Sequence, residues 1–105
     1  MVSLEKQKLF VEYLISSPDV LVSTQSIIDT GYFDPELRQT IHFISEYYTK
    51  FKESPNTDQI KVETGWEFTK RQITKGEIAY ACTELETFCR HKALERAISS
   101  APSLS

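Results

Sequence analysis

Two cysteines, two histidines and scattered carboxylates are the side chains of this chain with the chemistry for catalysis or metal binding. Cys82 and Cys89 lie seven residues apart in what reads as one helix. That spacing separates their Cα atoms by about 10.5 Å, beyond the roughly 7 Å that a disulfide tolerates. Their neighbours Ile78, Leu85 and Phe88 make them small core hydrophobes, reduced and inert. His42 and His91 fall on different helices with no cysteine or carboxylate cluster at metal-ligand spacing, so both are expected to be structural or surface residues. Glu84 and Glu86 point about 200° apart around a helix, and Asp34 with Glu36 suits helix capping, so neither pair is set for acid–base work. Gly31, Gly65 and Gly76 are isolated, unlike the clustered glycines of a phosphate-cradling loop. The expectation is a chain with no catalytic residue, no metal site and no cofactor.

Binding chemistry is the remaining class. Thr57 to Ile73 reads helix, Gly65 turn, helix, with Lys70 and Arg71 in the second piece, which is the outline of a helix-turn-helix. A small DNA-binding regulator using residues 57–73 is therefore the alternative reading. Against it, twelve basic and fifteen acidic residues leave a net charge of −3, with no cationic surplus for tight duplex binding. Trp66 and the other aromatics could stack on bases, but at helical spacing they read first as core.

These residues need elements to hold them, and the apolar period is helical almost throughout. With 105 residues, 40% hydrophobic and 26% charged, the chain is expected to be one folded domain over 1–105, all-α, a small helical bundle with a long C-terminal helix. No run approaches the roughly 18–20 apolar residues of a membrane span, and the start MVSLEKQKLF has no signal-peptide stretch, so a cytoplasmic protein is expected.

Ser3 to Ser16 carries Leu4, Phe10, Val11, Leu14 and Ile15 on a broad stripe. Ser17-Pro18 restarts the chain into a short, weak helix ending near Asp29, and a turn follows at Asp29-Thr30-Gly31. Asp34-Pro35-Glu36 opens the clearest helix, with Leu37, Ile41, Ile44, Tyr48 and Phe51 on one stripe and Phe43 with Tyr47 on a flank that is core edge or partner surface. Ser54-Pro55 stops it. Asn56 or Thr57 caps a helix that ends at Gly65, a second short piece is expected over 66–72, and Thr74 with Glu77 has capping-box spacing.

The last helix, from Lys75 to about Ser100, has an inner face of Ile78, Cys82, Leu85, Phe88 and Cys89. Ala93, Leu94, Ala97 and Ile98 drift off that face, while Glu86–Arg90 and His91–Glu95 have ion-pair spacing. Part of this helix is expected to face something other than its own core. The tail from Ala101 carries a helix stop at Pro102.

In order along the chain stand a leading helix around Leu9 to Leu14, Gly31-Tyr32-Phe33-Asp34-Pro35-Glu36-Leu37-Arg38, Tyr47-Tyr48-Thr49-Lys50-Phe51, Ser54-Pro55 with Asp58-Gln59-Ile60, and Phe88-Cys89-Arg90-His91-Lys92-Ala93-Leu94-Glu95-Arg96-Ala97-Ile98. This arrangement resembles the N-terminal domain of DnaB-type replicative helicases, particularly the versions encoded by bacteriophages, over roughly residues 8–100. The resemblance implies a non-catalytic helical collar domain that pairs subunits within a hexamer and, in bacterial members, docks primase, in a bacterial or phage-infected cytoplasm. The ATPase domain and its linker are not in this sequence, nor is the second long helix that continues the hairpin in family members. Phe88, Arg90, Leu94, Ala97 and Ile98, with Phe43 and Tyr47, are the candidate protein-interface residues, Leu94 and Ile98 foremost.

Overall fold

Ser3 accepts the Lys6 amide at 3.2 Å and starts α1, Leu4–Ser16. The structure is a computed structural model that describes residues 2–100, and the expected stop in the tail from Ala101 lies outside the described residues. The next hydroxyl in this role is Ser17, which takes the Val20 amide at 3.4 Å and opens α2, Pro18–Thr24.

This second helix is shorter than its expected end near Asp29. The Thr24 hydroxyl turns back to donate to the Val20 carbonyl at 2.7 Å, and the Ile27 and Ile28 amides both close on the Thr24 carbonyl. That shared acceptor ends the regular ladder, and the β-branched Val20, Val22 and Thr24 give little propensity to prolong it. The expected turn at Asp29 is a single 3₁₀ turn, Thr30–Tyr32, capped by the Asp29 carboxylate on the Gly31 amide at 2.8 Å.

Asp34 caps α3, Pro35–Phe51, through the Glu36 amide at 3.1 Å, with Pro35 in the first turn. Leu37, Ile41 and Ile44 are buried as the spacing predicts. The stripe fails at its far end. Phe51 is 59% exposed and its ring lies 4.6 Å from that of Tyr47 instead of entering the core.

Helix α4, Thr57–Thr64, begins with reciprocal 2.8 Å bonds between Asn56 and Gln59 and ends at Gly65, whose φ of 81° is the left-handed region that favours glycine. Only Ile60 of this helix is buried, and it plugs the core.

The second piece of the helix-turn-helix outline does not form: residues 66–74 are an irregular strap. Two backbone donors in the middle of this segment, the Thr69 and Arg71 amides, are taken by side chains of α1. The Glu12 carboxylate accepts the Thr69 amide at 2.7 Å and the Arg71 guanidinium at 2.8 and 3.0 Å, while Ser16 Oγ accepts the Arg71 amide at 2.8 Å. Phe68 is driven inward and Trp66 donates its indole N–H to the Glu36 carbonyl at 3.0 Å, so the strap ties α1 to α3.

Thr74 and Glu77 exchange two 3.2 Å bonds as the capping box requires, and α5 runs from Lys75 to Ser100, about 39 Å. Its first half packs on α2 and α1 through Ala81, Leu85, Phe88 and Cys89. The Phe88 ring is wedged between Phe10 at 5.5 Å and Phe33 at 5.1 Å, which makes it the hub joining α1, the segment before α3, and α5. The described residues contain no strand: the chain is all-α, with a long C-terminal helix.

Candidate protein-interaction surface

Beyond Cys89, α5 leaves the core behind. Ala93, Leu94, Ala97 and Ile98 are exposed, Leu94 at 60% and Ile98 at 69%. Arg90 is exposed on the same side, four residues before Leu94, so four of the five candidates on this helix share one outer face. The fifth does not: Phe88 is a core residue, because position 88 lies on the face that carries Leu85 and Cys89.

One contact set moors this half. Arg96 donates to the Asp29 carboxylate at 3.0 and 3.4 Å and its guanidinium sits 4.6 Å from the centre of the Tyr32 ring. The Arg96 hydrogen bonds, aided by the Gly31 amide, hold the Asp29 carboxyl below its ordinary range. A methyl group on Gly31 would come within 2.8 Å of Arg96 Nη2, so the missing side chain leaves the guanidinium its seat. The two ion pairs expected from i,i+4 spacing, Glu86–Arg90 and His91–Glu95, do not form; the described pairs of this half are Lys92–Glu95 at 3.4 Å and Arg96–Asp29.

The second candidate patch belongs to α3 and α4. Phe43, Tyr47 and Phe51 form a ladder of rings at 6.0 and 4.6 Å along one wall of a hollow of about 330 Å³. Gln59 donates to the Tyr47 hydroxyl at 3.3 Å, and Glu63 and Thr64 line the opposite wall. His42 and Glu46, 3.6 Å apart, and Lys50 bring both signs of charge to its rim. Phe43 and Tyr47 are partly buried, so this is a core edge with an open side, and it stays separate from the α5 surface. Sequence reasoning missed Val62, 83% exposed on α4, and Tyr80, exposed on α5. The signal was available for both, because each falls off the inner stripe of its helix.

Burial pushes the Cys89 thiol up to about 11, so at neutral pH it is a protonated hydrophobe and not a nucleophile. Cys82 is also free, and half-buried. His91 is exposed above Lys6 and Glu84, which pair at 2.7 Å. Glu84 is therefore a partner for a lysine, and Asp34 is spent on capping. Among the described residues no three histidine, cysteine or acidic side chains converge on a metal site, and no helix is long and apolar enough to cross a membrane.

No protein-family model, no curated protein and no solved structure matches this chain. The chemistry of its own surfaces carries the reading that follows. Exposed aliphatic side chains at the end of a long helix, with a charged rim, are the composition of a protein-contact surface.

Proposed function

We propose that this chain is a non-catalytic oligomerisation and partner-docking domain of a replicative DNA helicase of the DnaB type, with primase as the docked partner. The observation that carries the reading is the division of α5. Its first half is buried in the bundle, whereas its second half holds Leu94 and Ile98 in solvent, moored at Arg96. Fully burying an aliphatic side chain contributes about 1.5–3 kcal/mol, so Leu94 and Ile98 favour association but need further contacts to offset its cost of about 4–15 kcal/mol. The ordered motifs that resemble the collar domain name the kind of assembly, a ring of subunits working in the cytoplasm of a bacterium or a phage-infected cell. ATP chemistry belongs to a motor domain, and the net charge of −3 assigns DNA contact to other parts of such an assembly.

Sedimentation over a wide concentration range, together with capture of purified primase, tests this. Association of the native chain that is lost in Leu94→Asp and Ile98→Asp supports the proposal. A strict monomer at millimolar concentration that also fails to hold primase overturns it. Salt-dependent duplex binding abolished by Lys70→Ala and Arg71→Ala would instead establish the regulator.

A further inference from the structure

Inside a helix a threonine hydroxyl ordinarily returns to the carbonyl four residues back. Thr24 does so to Val20 at 2.7 Å, Thr49 to Ser45 at 2.9 Å and Thr64 to Ile60 at 2.7 Å, while Thr83 and Thr87 face water instead. Thr40 does neither. It is 0% exposed, out of contact with solvent, and its hydroxyl has no partner. The acceptor four residues back is the Glu36 carbonyl, where the Trp66 indole N–H is seated at 3.0 Å. A carbonyl has room for two donors, yet the indole alone holds this one. The docked strap therefore leaves a buried hydroxyl of α3 unpaired, and a lifted strap would free the acceptor that the other helical threonines use.

The strap is fastened by side chains. Among the described residues, 66–73 make no backbone–backbone hydrogen bond. Three fastenings converge on the one Glu12 carboxylate, from the Thr69 amide at 2.7 Å and the Arg71 guanidinium at 2.8 and 3.0 Å. The borders of the strap do not depend on its course: the Gly65 amide closes α4 on the Lys61 carbonyl, and the Thr74–Glu77 box opens α5 with its own two bonds. We infer that the strap over 66–74 is a two-state latch, held closed by Glu12 and opposed by Thr40, that lifts from α1 and α3 while the helices on either side stay folded. Closed, it keeps Phe68 buried and Thr40 unpaired. Open, it gives up the Glu12 bonds, returns the Glu36 carbonyl to Thr40 and brings Trp66 and Phe68 into solvent. The latch operates in the single chain and needs no assembly, and a contact that draws Glu12 away from Arg71 opens it.

Hydrogen exchange of the full chain, read by NMR, tests this at the indole N–H of the lone tryptophan and at the Thr69 and Arg71 amides. In the native chain these three exchange faster than the core amides of Ile44 and Leu85 and do not respond to low urea, the mark of local opening. Thr40→Val removes the unpaired hydroxyl with little change of volume and slows all three about fivefold. Glu12→Gln keeps an acceptor but no charge for Arg71 and speeds them about tenfold or more, and adding Thr40→Val to it slows them again about fivefold. Helical ellipticity is the same in every variant. Exchange of the three at the rate of the core amides overturns the latch, since the strap then leaves only with global unfolding. Native rates in Thr40→Val overturn it as well, because the hydroxyl then does nothing to open it.

Discussion

Thr40 shows how little of a residue's role its type reveals. Its hydroxyl is buried in α3 without a hydrogen-bond partner among the described residues, and the Glu36 carbonyl one turn back is occupied by the Trp66 indole. An unpaired buried hydroxyl costs stability, so Thr40→Val should raise the unfolding free energy by about 1 kcal/mol in urea titration. The cysteines give a second residue-scale expectation. Half-buried Cys82 should react with a thiol reagent in the native protein at mild alkaline pH, whereas Cys89, held protonated up to about 11, should react only on unfolding, which thiol counting with and without denaturant will show. The sequence made Leu85 and Cys89 legible as core because their spacing repeats, and it placed Phe88 on that face while also naming it for the interface. Adjacent positions on a helix differ by about 100°, so a candidate segment chosen as a run inevitably mixes inward and outward residues.

At the scale of elements, the caps were the readable features. Ser17, Asp34 and the Thr74–Glu77 pair act where their spacing placed them, and of the two candidates for α4 it is Asn56 that caps, since capping depends on atoms within one turn. The strap over 66–74 was not readable, because its course is set by Glu12 and Ser16, more than fifty residues away in sequence. Gly65→Ala should lower stability by about 1–2 kcal/mol in a denaturant melt, as alanine resists the left-handed geometry that ends α4. The mooring of α5 carries a pH signature. The Asp29 carboxyl lies below the ordinary value of about 3.9, so its contribution is complete above that value and fades as pH falls through the lower folded value. A carboxyl-carbon NMR titration should return Asp29 toward the ordinary range in Arg96→Gln, and partway in Gly31→Ala, where the new methyl group displaces the guanidinium.

Over the whole molecule, the fold class followed from helical periodicity, but the shape did not. The radius of gyration of 14.3 Å exceeds the about 13 Å of a round domain of 100 residues, and the long dimension of 51 Å is nearly twice the shortest, 26 Å. Nothing in the period of α5 said where its neighbours stop, because that depends on how short α2 turned out to be. The candidate interface was legible as a change of face after Cys89. The outward position of Ala79, Thr83 and Thr87 was not, since small residues fit either face of a helix until their exposure is known. The lone tryptophan has a consequence of its own. Its ring is stacked 6.1 Å from Phe68 with the Lys8 ammonium 5.0 Å from its centre, at the junction of α1, α3 and the strap. Tryptophan fluorescence, excited selectively over the five tyrosines, therefore carries a signal from that junction alone. Glu12→Gln should shift the emission to the red and admit a quencher such as iodide while leaving the helical ellipticity unchanged, giving an optical readout of strap release without any dye.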